Sequence, residues 1–167
     1  MIQSPKVETY DQAPRMSCDE ITDQITQIPL TSKTVIICNF ANADMVGHTG
    51  NMDATIQSIE AVDQCIARLK KWSEEQDIDL MITADHGNAD QMHNEKTNTP
   101  KTSHSEAPVP FIIHTKRNYS LAKSGKLSDV APTILNWLHT EIPTEMTGTP
   151  LHNRSRVEGV PRNENDE

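Results

Sequence analysis

Three short runs rich in β-branched residues limit what this chain can fold into. Residues 34–38 read Thr-Val-Ile-Ile-Cys, residues 78–83 Ile-Asp-Leu-Met-Ile-Thr, and residues 109–114 Val-Pro-Phe-Ile-Ile-His. Each has strand length and gives way to polar, Gly- or Asn-containing sequence. Runs this apolar predict strands buried on both faces, in a sheet covered by helices. The intervening segments supply the helices. Met52, Ile56, Ile59, Val62 (or Asp63), Ile66 and Leu69 recur at steps of three and four, and Lys70 and Lys71 end that helix favourably for its dipole. Ser17 and Glu20 have capping-box spacing ahead of Ile21, Ile25 and Ile28, and Pro29 stops that helix. A last helix over 128–138, with Pro132 in its first turn, turns Ile134, Leu135, Trp137 and Leu138 inward. The order α-β-α-β-loop-β-α predicts a parallel, layered α/β domain.

Composition qualifies that domain. Leu, Ile, Val and Phe together make only 33 of 167 residues, just under the roughly 20% below which chains start to look disordered. The apolar runs are concentrated, so the shortage points to an incomplete domain with apolar faces that have no partner inside the chain. Fifteen Lys plus Arg against 24 Asp plus Glu give a net charge of −9, which argues against nucleic-acid and membrane-surface partners. No apolar run reaches the roughly 18–20 residues of a membrane span, and the first residues lack the apolar core of a signal peptide. Cys18, Cys38 and Cys65 are scattered and odd in number. They read as buried structural thiols in a reducing, cytoplasmic setting. Residues 152–167 read as a polar, disordered tail beyond a domain over 1–151.

The loops around the strands carry the chemistry. Ligands of open α/β sheets collect outside the carboxyl ends of the strands. Asp44 and His48 follow the first run, Asp85 and His86 follow the second, and His104 lies in the long loop before the third. Singly, each is an ordinary cap, turn or surface residue. Together, two carboxylates and three imidazoles flanking buried strands are residues that fold stability does not ask for. Oxygen and imidazole donors suit Mn²⁺, Zn²⁺ or Fe²⁺, and five exceed the need of one ion with an open position. They predict two divalent ions, the arrangement that clamps a phosphoryl group in transfer. His93, His114, His139 and His152 have no such company, and Glu60, Asp63, Glu74, Glu75 and Asp77 read as solvated helix surface.

These motifs resemble a known family. Ser4-Pro5-Lys6-Val7-x-Thr9-Tyr10-Asp11, Asn42-x-Asp44-Met45-Val46-Gly47-His48-Thr49-Gly50, Thr83-Ala84-Asp85-His86-Gly87-Asn88-Ala89 and His104-x3-Pro108-Val109-Pro110 are similar to segments of cofactor-independent phosphoglycerate mutases. Leu127-x-Asp129-Val130-Ala131-Pro132-Thr133 and Glu145-Met146-Thr147-Gly148 are similar to that family's closing segments. The resemblance covers about residues 2–151, in order, and corresponds to the C-terminal third of the family's chain. It implies an α/β/α layered sheet of the alkaline-phosphatase type, incomplete in this chain. It also implies interconversion of 3- and 2-phosphoglycerate in glycolysis through a phosphoserine. Two divalent ions are implied, commonly Mn²⁺ although Zn²⁺ accepts the same ligands, with Asp44, His48 and His104 on one ion and Asp85 and His86 contributing to the other.

The nucleophilic serine and the arginine-rich substrate domain lie upstream in the family and match nothing here. Ser103 and Ser105 stand where the family often has Ala and Thr, and Ala43 where it often has Pro. None of these removes a ligand. The resemblance therefore implies a chain with no catalytic nucleophile of its own, inactive alone, and either self-associating or completed by an N-terminal chain. Two other readings are a free-standing metal-dependent phosphohydrolase, which needs no serine, and a non-catalytic metal-binding remnant.

Overall fold

In the computed structural model the chain is described over residues 2–94 and 97–154 and divides into two compact units, residues 2–115 and 116–154. The first unit holds α1 (Cys18–Thr26), α2 (Asn42–Gly47), α3 (Met52–Gln76), β1 (Leu80–Thr83), β2 (His93–Asn94), β3 (Thr99–Pro100) and β4 (Phe111–His114). The second holds β5 (Tyr119–Leu121), a 3₁₀ turn (Leu127–Asp129), α4 (Val130–Trp137) and β6 (His152–Arg154).

The expected helices are present, with revised ends and faces. Ser17 precedes α1, but its side chain makes no cap; the hydroxyl donates to the Gln3 carbonyl instead, at 2.7 Å. The buried stripe of α1 is Cys18, Thr22 and Ile25, and Ile28 is exposed. Asn51 caps α3 by accepting from the Ala54 N–H. The helix runs five residues past Lys71, to Gln76, and ends at Asp77 in the left-handed region. Its buried face is mostly small, Ala54, Thr55, Ser58, Ala61, Cys65 and Ser73 with Leu69 from the expected stripe, which lets α1 and α2 pack closely against it. Met52, Ile56 and Ile59 of the expected core stripe are about half exposed.

The sheet departs furthest from expectation. Residues 34–38 form no strand, and Ile37 is 86% exposed. A strand exists only as one rung of a ladder, and no described segment pairs with these residues. β1 and β4 pair antiparallel, with Leu80 opposite His114 and Thr83 opposite Phe111, so the parallel arrangement is corrected. Among their residues only Ile113 is fully buried. Mixed helices and small paired strands are what the described residues contain. Val35, Ile37, Ile56, Ile59 and Ile112 are the unpartnered apolar surface that the composition anticipated.

Cys18 and Cys65 are fully buried against Ala61, but Cys38 is exposed, which corrects its reading as a structural thiol. Burial pushes the Cys18 thiol up to about 11, so it stays protonated at neutral pH. No helix among the described residues is long and apolar enough to cross a membrane.

In the second unit α4 starts two residues after the expected position, behind the 3₁₀ turn. Pro132 lies in its first turn and Trp137 is buried, as expected; Ile134 and Leu135 are half-buried, while Leu138 is exposed. β6 pairs with β5, so 152–154 belong to the folded unit; the rest of the expected tail, 155–167, lies outside the described residues. Asp129 ties this unit together by accepting from the Thr149 and Lys126 backbone N–H groups at 2.8 and 2.7 Å. Those two bonds, Thr149 first, hold its carboxyl below its ordinary value of 3.8. A depressed carboxyl contributes its full stability above the ordinary value and loses it as pH falls through the folded one. Thermal melts should therefore show wild type losing more stability than Asp129→Asn between pH 6 and pH 3. Equal losses would mean that the two bonds carry no linkage.

Candidate metal centre

The site is built on one short helix and two loops. Asp44 and His48 are four residues apart at the end of α2, so they share a face. That helix is anchored by Asn42, 1% exposed, whose side-chain NH₂ donates to the Pro14 and Arg15 carbonyls at 3.0 and 2.9 Å. Val46 fills the core behind it. The antiparallel register puts the end of β1 beside the start of β4, which brings residues 85–88 and His104 to one edge. An isolated bridge between Gly87 and Ser105 staples the two loops, with the Ser105 N–H on the Gly87 carbonyl at 2.8 Å. The Ser105 hydroxyl also donates to the Asp90 carboxylate at 2.7 Å. A Cβ at position 87 would collide with Ser105 Oγ and approach Asp90 Oδ1 to 2.5 Å, so the staple requires glycine there.

Three of the five expected residues meet at one point. Asp44 Oδ1 lies 3.2 Å from His48 Nε2 and 3.1 Å from His104 Nε2, and the two imidazole nitrogens are 3.1 Å apart. His48 Nδ1 is 2.6 Å from the Thr102 carbonyl. A carbonyl only accepts, so Nδ1 carries the proton and Nε2 of the neutral ring keeps its lone pair toward the cluster. His86 stacks on His104 with centroids 3.8 Å apart, and Asp44, His86 and His104 can bring ligand atoms within 4.8 Å of one another. Asp85 stands apart: its side chain is 79% exposed and reaches His86 Nε2 at 3.7 Å.

The donor set itself fits a divalent ion: one carboxylate oxygen and two imidazole nitrogens converge on a single point, and oxygen and neutral imidazole donors suit hard to borderline divalent cations.

Asn88 is the residue the sequence reasoning missed. It is 5% exposed and its NH₂ donates to Asp44 Oδ1 at 2.9 Å. It was visible only as one letter of the motif after β1. A second cluster, Cys18, Asp19 and Cys65, is also close enough to share an ion. Its carboxylate is already engaged by the Arg15 and Arg68 guanidinium groups, so no charge is left to attract one.

A helix-borne carboxylate and clustered imidazoles make a candidate metal centre, and comparison with known proteins places the chain in a class of metal-dependent enzymes. The chain belongs to the metalloenzyme superfamily, whose family description matches residues 1–142. Within it, the chain is homologous to 2,3-bisphosphoglycerate-independent phosphoglycerate mutases. It is 49% identical over 152 residues to the protein of that name from Psychromonas ingrahamii, covering 90% of this chain and 30% of that protein. It is 52% identical over 151 residues to the one from Francisella philomiragia, covering 89% and 29%. A crystal structure of Leishmania mexicana phosphoglycerate mutase at low cobalt concentration superposes with a TM-score of 0.80 and 30% identity, over 92% of this chain and 31% of that one. The chain thus spans about 30% of the length of the curated relatives it matches.

Proposed function

We propose that this chain is the metal-binding portion of a phosphoglycerate mutase that interconverts 3- and 2-phosphoglycerate in the cytoplasm. The observation that carries the reading is the convergence of Asp44, His48 and His104 on one point, within a stretch homologous to such mutases over 90% of the chain. Asp44, His48 and His104 hold one divalent ion; His86 and Asp85 contribute to a second. Mn²⁺ is the ion proposed, and Zn²⁺ accepts the same oxygen and imidazole donors. When bound, such ions offset the charge of a transferring phosphoryl group and activate a serine hydroxyl as nucleophile. This chain's residues orient donors for that chemistry: the Thr102 carbonyl sets the His48 tautomer, and the Gly87–Ser105 staple holds the His104 loop against the loop after β1. The phosphoserine forms on a serine outside the motifs found here. The sheet is part of an α/β/α layer of the alkaline-phosphatase type, and the exposed Val35 and Ile37 are covered by a complementing N-terminal chain or by self-association.

A chimera tests the reading. Residues 1–151 replace the homologous stretch of the Psychromonas ingrahamii protein, and mutase turnover is measured with Mn²⁺. Turnover within an order of magnitude of the parent is expected, and none from the 167-residue chain alone. A folded chimera that binds Mn²⁺ without turnover sinks the proposal. So does turnover at ordinary enzyme rates by the isolated chain.

A further inference from the structure

Asn88 sits behind the ligand triangle with an unpaired oxygen and a gap left for it in α2, two features that packing alone does not explain. Its Nδ2, which donates to Asp44 Oδ1 at 2.9 Å, also lies 3.4 Å from His48 Nε2, so one amide nitrogen touches two of the triangle's three atoms. The other amide atom touches no partner: Oδ1 is buried without a hydrogen bond. The orientation is forced, because an ionised Asp44 only accepts and an oxygen turned toward it would be repelled. An unpaired buried carbonyl carries a desolvation cost that an apolar side chain would avoid.

The second feature is in the backbone. Gly47 is the last residue of α2 and lies between the two ligands. A Cβ there would come 2.5 Å from Asn88 Oδ1 and 3.2 Å from its Cγ. Glycine at 47 is thus the slot into which the Asn88 amide fits. The unpaired oxygen and the glycine slot accompany one result, an NH₂ group aimed at Asp44 Oδ1.

We propose that Asn88 is a positioning residue for a divalent cation: it does not ligate, but fixes Asp44 Oδ1 at ligand spacing from His48 Nε2, with Gly47 providing the room. The inference rests on the metal reading of Asp44, His48 and His104. By occupying one lone pair of Oδ1, the amide leaves the other directed at the ion. Groups of this kind that orient ligands typically change metal affinity by about 10–100-fold when removed.

The test is Mn²⁺ binding to the full 167-residue chain, followed by the electron paramagnetic resonance of free Mn²⁺, with melting temperature measured without metal. Asn88→Ala is expected to bind about 10–100-fold more weakly while its metal-free melting temperature holds or rises. Gly47→Ala probes the same contact from the other side and should weaken binding comparably. Because Gly47→Ala acts by displacing Asn88, the double variant should bind no more weakly than Asn88→Ala alone. Asn88→Ala binding Mn²⁺ like wild type, in a chain whose Asp44→Ala variant loses it, overturns this inference alone. Wild-type affinity in Asp44→Ala removes the metal reading and this inference with it. Additive losses in the double variant overturn the role of Gly47.

Discussion

Asp44→Ala is expected to weaken Mn²⁺ binding by more than about 100-fold, beyond what loss of a group that only orients ligands produces. A single atom explains the size of the effect. Asp44 Oδ1 is where His48 Nε2, His104 Nε2 and the Asn88 amide converge, at 3.2, 3.1 and 2.9 Å. It is also the only formal negative charge in the triangle, so its removal leaves two neutral imidazoles to face a dication. The folded state should tolerate the change, because the side chain is 34% exposed and α2 is held by Asn42 and Val46. Asp85→Ala is the matched control. Its carboxylate is 79% exposed and meets only His86, so binding to the triangle should stay at wild-type strength. Equal losses in the two variants, measured by the same titration on chains of unchanged circular dichroism, would show that the triangle is not a separate site.

The triangle was legible in the sequence because its parts obey local rules. Asp44 and His48 follow the first apolar run, and His86 and His104 flank the runs that become β1 and β4; the helix α2 that puts Asp44 and His48 on one face was not foreseen. What joins them was not legible. The Gly87–Ser105 bridge and the Asn88 amide connect residues far apart in the chain, and their signature is small: two glycines whose missing Cβ atoms make room for a neighbour. Periodicity cannot report a contact that depends on the absence of an atom.

The helices and the sheet failed differently. Helices close their own hydrogen bonds, so α1, α3 and α4 appear where the 3.6-residue period puts them. The face they bury is a matter of what lies opposite. In α3 that is a close approach by α1 and α2 over Ala54, Ser58, Ala61 and Cys65, while Ile56 and Ile59 point away from the core. Strands must borrow their partners. Residues 34–38 have the composition of a buried strand and find none, whereas β1 and β4 pair with each other antiparallel. The sparse apolar content and the exposed Ile37 agree: a run with the composition of a buried strand is present, and nothing among the described residues covers it.

Trp137→Ala is expected to unfold the second unit and leave ion binding in the first intact. Trp137, 6% exposed, is the hub of residues 116–154. Tyr119 meets its ring edge-on at 5.6 Å between centroids, His152 does so at 4.8 Å, and the Arg117 guanidinium sits 5.4 Å above it. Those contacts tie α4 to both β5 and β6, and few other large side chains are buried in the unit. Truncating a buried Trp costs about 3–5 kcal/mol, and a unit this short buries too little apolar surface to absorb that loss. All five expected ligands, together with Asn88 and the Gly87–Ser105 staple, lie within residues 2–115. Hydrogen exchange should therefore accelerate across residues 119–152 in Trp137→Ala, while Mn²⁺ affinity stays within a factor of about two of wild type. Loss of Mn²⁺ binding together with that unfolding would mean that the triangle depends on the second unit for its geometry, and that the site is larger than the residues that touch it.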